Sequence, residues 1–494
     1  MAIKRYYATK DNTITNAFKS NLTTRGVSGN MGQSDILEVF NIYGQVSSSS
    51  GLSSEISRIL IEFDTTAINS DRTAGIIPAS GNVNFFLRMF DAEHTQTTPK
   101  NYTLVVSAIS QSWNEGLGLD MEEYTDEDAS NWLSASSGNK WKKRGDTVVQ
   151  GGSFITGSVG ALTEYRFTQL FDNGFEDLEV NVSHLVEDWI KGELSNNGFG
   201  VNLTSSLEDG ENSYYTKMFF ARGSQFFHKR PVIEARWDNT KKDNRGEFFL
   251  SSSLVPASDN LMNLYLYNVV RGQLTDIPAV GTKNIMVSIY SGSTAPTGDK
   301  LKLPLGGGVL ADGHVNITGS HVETGIYSCS FAYVSSSITK IFDVWSSGSI
   351  EYHTGSGVTV KTFNSQNYNF DQRYISKVTN LRSTYDKGEK VRFRLYTRQK
   401  DWSPTIYTVA NSAIETSIID NTYYRFTRLS DNLEVIPFGT GSLNHTRLSY
   451  DVSGSYFDLE MDLFDIDTVY ELSFAYLING SYVEQPERFR FRVE

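Results

Sequence analysis

Apolar and polar residues alternate with period two along most of this chain, which is the pattern of strands with one face on a core and one in water. Val83, Phe85, Leu87 and Met89 alternate early. Ile233, Ala235 and Trp237 oppose Val232, Glu234 and Arg236, and Val391, Phe393 and Leu395 oppose Arg392, Arg394 and Tyr396. Phe457, Leu459, Met461 and Leu463 oppose Asp458, Glu460 and Asp462, and the chain ends on Phe489, Phe491 and Val493 with Arg488, Arg490 and Arg492 between them. These segments read as half-buried antiparallel strands. A single helix is expected at Ser183–Gly192, where Leu185, Val186, Trp189 and Ile190 form a stripe, Ser183 is placed to cap and Gly192 to stop. Short strands, many turn residues and little helix predict an all-β chain of sandwiches, not a parallel α/β sheet.

Two polar stretches divide the pattern. Asp238–Gly246 reads as a linker, and a second junction falls between His353 and Arg373, giving expected domains 1–238, 247–355 and 370–494. The last two look related: Tyr327-Ser-Cys-Ser-Phe-Ala-Tyr333 reappears as Tyr470-Glu-Leu-Ser-Phe-Ala-Tyr476, which suggests a duplication with Tyr327 and Tyr470 in equivalent places.

Composition supports strands over helices, with 26 Tyr, 29 Phe and 40 Gly. The 44 Lys and Arg against 57 Asp and Glu leave a net charge of -13, which disfavours nucleic acid as a partner. One cysteine, Cys329, makes neither an internal disulfide nor a Cys-ligated zinc site. The N-terminus has no secretory h-region, and no apolar run reaches the roughly 18 residues of a membrane span, so neither export nor membrane spanning is expected; assembly in a cytoplasm followed by release through lysis and ordinary cytosolic residence both fit.

Little in the sequence points to catalysis. His94, His184, His228, His314, His321, His353 and His445 are scattered without metal-binding spacing. Leu305-Gly306-Gly307-Gly308-Val309 lacks the helix and Lys-Ser/Thr of a phosphate loop and reads as a hairpin or bulge. No pair of carboxylates is singled out for glycoside hydrolysis. No catalytic residue and no required cofactor are therefore expected, and the chain is read as a non-enzyme. The acidic run with Asp120, Glu122, Glu123, Asp126, Glu127 and Asp128 reads first as a solvated loop and second as a calcium site formed by Asp120, Glu122, Asp126 and Asp128. Trp113, Trp132 and Trp141 flank or occupy an insertion between Leu119 and Tyr165. They are candidates either for core packing or for contact with a glycan or protein partner.

Residues 1 to about 238 resemble the DNRLRE family of β-sandwich domains, related to disaggregatase and to certain carbohydrate-binding modules. The resemblance is carried, in order, by Thr9–Thr13, Asn30-Met31-Gly32, Asp35–Val39, Ser57–Asp64, Trp113-Asn114-Glu115, the Trp189 helix, Asn197–Gly200 and Arg230–Ala235. It implies a jelly-roll-like sandwich. The same segment, opening with Arg5–Asp11 and carrying the Ser47–Ser50 loop, is similar to virion structural proteins of marine tailed phages. Domains two and three resemble immunoglobulin-like sandwiches, with Gly325-Ile-Tyr327-Ser-Cys329 similar to that fold's F strand. The resemblance implies a structural component of tail, neck or capsid surface. Its expected partners are other virion proteins, in many copies of a symmetric assembly, and a host-surface glycan. The alternative is a glycan-binding module accessory to polysaccharide recognition or degradation.

Overall fold

A computed structural model describes residues 2–49, 51–95, 98–125, 128–143, 146–155, 165–212, 214–252, 254–302, 316–362, 372–402, 406 and 416–494. Asp126, Glu127, His314, Ser50, the Leu305–Val309 loop and part of the second expected junction lie outside them. The fold is all-β and built of several β-sandwiches. It divides into two compact units, Ala2–Asp238 and Asn239–Glu494.

In the first unit the strand Ile3–Thr15 serves two sheets. Ile3–Tyr7 pairs with Val232–Arg236, and after a bulge between Ala8 and Lys10 the same strand pairs with Gly51–Phe63. A bulge re-aims a strand without ending it, and here it carries the chain across the corner of the sandwich. One sheet continues through Phe199–Leu203 and Tyr102–Ala108 to Arg166–Phe171, and the other through Asn84–Met89 to Leu178–Asn181. Between them lie Ile59, Ile61, Phe85, Leu87, Leu104, Val106 and Ile233. The expected helix spans Ser183–Lys191 and stops at Gly192, whose φ of 75° favours glycine. Ser183 is not its cap: it is the first helical residue, and its hydroxyl accepts the Phe85 N–H at 2.8 Å, docking the helix on the sheet. Two further short helices, Thr65–Thr73 and Ser205–Glu208, have too little apolar stripe to be visible in the sequence.

The second unit holds two sandwiches with the same strand order. In the first, Phe248–Phe249 pairs parallel with Val358–Lys361, which pairs with Lys340–Ser347, which pairs with Ile285–Ser291. In the second, Thr384–Tyr385 pairs parallel with Phe489–Val493, that with Thr468–Ile478, and that with Thr422–Arg428. Lys340–Ser347 turns back as Ile350–Thr354, and Thr468–Ile478 turns back as Ser481–Glu484. Both are immunoglobulin-like in this order.

The two sandwiches share a strand order, but the tyrosines that suggested a duplication do not stand in equivalent places. Tyr327 lies on Ile326–Phe331, which pairs with Met262–Tyr267 as Gly454–Glu460 pairs with Lys390–Gln399. Tyr470 lies on Thr468–Ile478, the counterpart of Lys340–Ser347. Only Tyr470 makes the local corner, accepting the Asp465 N–H at 2.7 Å, whereas Tyr327 accepts the distant Ile277 N–H at 3.1 Å. Two half-buried Tyr/Phe strands look alike wherever they sit, and strand pairing separates them. The Phe457–Leu463 alternation is also interrupted: the strand ends at Glu460, and Met461–Leu463 is a single tight turn that keeps Met461 and Leu463 buried.

The polar run after Trp237 is not a loose tether. The Tyr450 N–H donates to Lys241 O and Tyr450 O accepts the Asp243 N–H, Asn244 pairs with Asn263, and Arg245 forks onto Asp343 at 2.7 and 2.8 Å. Residues 241–245 thus tie the two immunoglobulin-like sandwiches together. Asp243 is buried within the tie, and burial, with Asp343 and Asp451 nearby, pushes its carboxyl up to about 6 from 3.8 against the pull of Arg245. Because the folded value lies above the unfolded one, its contribution to stability is complete below 3.8 and is lost as pH rises through about 6. Lowering the pH from about 7 to about 5 should raise the unfolding midpoint of this unit, and Asp243→Asn should flatten that rise. Calorimetry across that range checks it; a wild-type midpoint that falls would contradict the assignment.

Candidate functional site

Leu60 and Arg58 point away from the main core of the first unit, while Ile59 and Ile61 point into it, so the strand Gly51–Phe63 is covered on both faces. The cover on the outer face is the insertion. Trp113, Trp132 and Trp141, only 2, 5 and 0 % exposed, pack there with Ile14, Leu60, Ile109 and Ala135. The Trp141 indole donates to Asn131 O at 2.8 Å and that of Trp113 to Asn197 O at 3.0 Å. Their buried indoles form a second core and offer no stacking surface, so the contact role is corrected to packing.

Beside this second core the same outer face opens into a groove of about 530 Å³. Its floor is Val105 and Ser107 of Tyr102–Ala108 and Asn202 of Phe199–Leu203. Arg166 stands at one edge, and Lys143, Val149, Gln150 and Phe154 of the insertion form the opposite wall. Arg58 is fixed at the end of the groove. It forks onto Glu208 at 2.8 and 2.6 Å, donates to Gly151 O at 2.7 Å, and lies over the rings of Trp132 and Phe154. A side chain at Gly151 would strike Trp132 and Arg58, and one at Gly200 would strike Phe154, so both glycines are needed for close approach. Arg58, Lys143 and Arg166 against Glu208 make the groove cationic in a chain of net charge -13. Lys143 and Arg166 form no ion pair with a described residue. Such a groove can hold a polar, anionic ligand by forked and point-charge hydrogen bonds while its apolar wall covers one face of it. Sequence reading missed it because its residues come from five separate segments; the one signal was the unbroken apolar run Ile59-Leu60-Ile61, which marks a strand buried on both sides.

The described part of the acidic run is engaged in hydrogen bonds. The Asp120 carboxylate accepts the Glu122 and Glu123 N–H groups at 2.8 and 2.9 Å, the Glu122 carboxylate takes the Ser20 N–H, and Asp128 contributes its backbone carbonyl to Asn114. Asp126 lies outside the described residues, and among those described no three His, Cys, Asp or Glu side chains group as a metal would require. Three of the segments that carried the DNRLRE resemblance, those with Asp11 and Asn12, Asn30 and Glu115, meet in a hydrogen-bonded cluster. Glu115 forks onto Arg222 at 3.0 and 2.8 Å and accepts the Asp11 N–H, while Asn12 and Asn30 both donate to Ser130 O. Burial, with Glu115 nearby, pushes the Asp11 carboxyl up to about 7.

No family model matches the chain, and no curated protein does. Among solved structures, the chain is similar to fibronectin(III)-like modules of Clostridium thermocellum CbhA, at 10% identity over 52% of this chain and 91% of that one, with a TM-score of 0.15. It is also similar to the N-terminal Ig1-2 module of the Drosophila receptor protein tyrosine phosphatase DLAR, at 9% identity over 48% of this chain and 92% of that one, with a TM-score of 0.15. The immunoglobulin-like description of the second unit rests on its own strand order.

Proposed function

We propose that this chain is a non-enzymatic structural protein of a tailed-phage virion, organised as sandwiches 1–238, 247–355 and 370–494. It works through contacts with other virion proteins, and its N-terminal sandwich adheres to a host-surface glycan. The observation that carries the binding reading is the cationic groove, whose Arg58 is held rigidly by Glu208, Gly151 and two aromatic rings, as a preorganised contact must be. The virion reading is supported by the ordered resemblance across residues 1–238. It is also supported by exposed apolar side chains suited to protein contacts, namely Leu254 and the hairpin carrying Val269, Val270 and Leu274. The groove by itself equally favours a glycan-binding module accessory to polysaccharide recognition.

The cationic lining sets the expected result. Acidic polysaccharides should bind the purified chain more tightly than neutral ones, with affinity falling as salt rises. Arg166→Ala and Lys143→Ala should each weaken binding by about tenfold, equivalent to about 1.4 kcal/mol, leaving the unfolding midpoint unchanged. Titration calorimetry against a polysaccharide panel measures this, and equal binding by both variants removes the groove from the function. The protein's presence or absence in purified particles decides between the virion and accessory readings, and turnover of any polysaccharide would overturn both.

A further inference from the structure

The first unit buries a lysine that the groove does not use. Lys217 lies on the strand Tyr214–Phe220 with its side chain 2% exposed, although a lysine stem ordinarily carries its ammonium out to water. Its Nζ is 5.0 Å from the ring centre of Phe219 and 5.3 Å from that of Phe171, and it is hydrogen-bonded directly to Oδ1 of Asp91. The two residues stand on segments tied by backbone hydrogen bonds: Ala92 N–H donates to Met218 O and Phe220 N–H to Phe90 O, both at 3.1 Å. Nζ also donates to Gly174 O and Glu176 O at 2.9 Å, which fixes the nitrogen against the carboxyl. Asp177 accepts the Asp91 N–H at 2.8 Å, and the buried Tyr102 hydroxyl has no hydrogen-bond partner among the described residues.

We propose that Lys217 and Asp91 condense to an intramolecular isopeptide bond. The proton of the ammonium passes to the carboxylate, the neutral Nζ adds to Cγ of Asp91, and the C–N bond forms as the C–O bond to the hydroxyl breaks. The hydroxyl leaves as water with the second amine proton. Ammonium and carboxylate thus become amide and water, charge is conserved and no oxidant or co-reactant is needed. Burial favours the neutral reactants, since desolvation pushes the Asp91 carboxyl up and the Lys217 ammonium down. Two groups held in contact on paired strands also react with the large effective concentration of an intramolecular step. The direct hydrogen bond from Nζ to Asp91 Oδ1 is the path of the first proton. The product amide keeps one N–H for the Gly174 or Glu176 carbonyl. The link would join residues 126 apart and, like a disulfide, restrict the unfolded chain, in a protein with one cysteine.

Intact-mass spectrometry of the full-length chain under denaturing conditions tests this without requiring any variant to fold. The expected mass is lower than the sequence mass by one water, about 18 Da, the leaving group of the intramolecular step. Proteolysis should then release one branched peptide joining the segments that carry Asp91 and Lys217. Lys217→Arg and Asp91→Ala should each return to the full mass of their sequences. A wild-type chain at its full sequence mass overturns the proposal, as does a water loss that persists in Lys217→Arg.

Discussion

Glu234→Ala should destabilise the N-terminal sandwich by about 3–5 kcal/mol, because it removes the single carboxylate shared by three buried guanidinium groups. Glu234 is 0% exposed and meets Arg5 at 2.8 Å, Arg88 at 3.2 Å and Arg236 at 2.6 Å. Glu179, on the far side of Arg236 at 2.8 and 3.0 Å, is partly exposed and cannot neutralise all three. Burial opposes the charge on Glu234, but Arg236, Arg88 and Arg5 outweigh it and hold the carboxyl well below its usual range. A folded value below the unfolded one makes this stability complete above the unfolded pKa of 4.5, to be lost only as pH falls through the folded value. Glu234→Gln should be nearly as damaging as the alanine variant, since it keeps the shape and loses the charge. Urea unfolding near neutral pH measures both; a loss below about 1 kcal/mol, the size of an exposed pair, would show that solvent reaches the cluster.

In the second unit, Arg245→Ala should cost about 3–5 kcal/mol and open residues 239–246 to protease. Asp343 is 0% exposed and receives both Arg245 nitrogens and the Trp345 indole N–H at 2.7 Å. Without the guanidinium, the buried carboxylate keeps one side-chain donor. Arg245 also donates to Tyr265 O on the strand Met262–Tyr267 and to Ser356 O just before Val358–Lys361, so the loss reaches both. Arg245→Lys should not rescue it, because a point charge cannot fork onto a carboxylate. Trypsin should then cut after Lys241 or Lys242 in the variant and spare the wild type. Equal resistance of both would mean that the backbone pairing of Lys241 and Asp243 with Tyr450 suffices alone.

Alternation in the sequence was enough to place Asn84–Met89, Val232–Arg236, Lys390–Gln399 and Phe489–Val493 as strands, because side chains on a strand alternate regardless of what lies opposite, and in Lys390–Gln399 and Phe489–Val493 the apolar face is the buried one. The expectation of one wet face fails for Val232–Arg236 and its neighbour Asn84–Met89, whose polar side is also buried because Arg88, Glu234 and Arg236 pair with one another there. The Ser183–Lys191 helix was legible for the same reason, its stripe being local. Pairing partners are not local. The placing of Tyr327 and Tyr470 on non-equivalent strands, the burial of Trp113, Trp132 and Trp141, and the fastening of residues 241–245 each depend on segments far apart in sequence, so only the tertiary structure could decide them. The groove and the Lys217–Asp91 pair belong to the same class. Their side chains are ordinary polar residues on alternating strands, and what makes them chemistry is the surface or the dry pocket into which folding brings them.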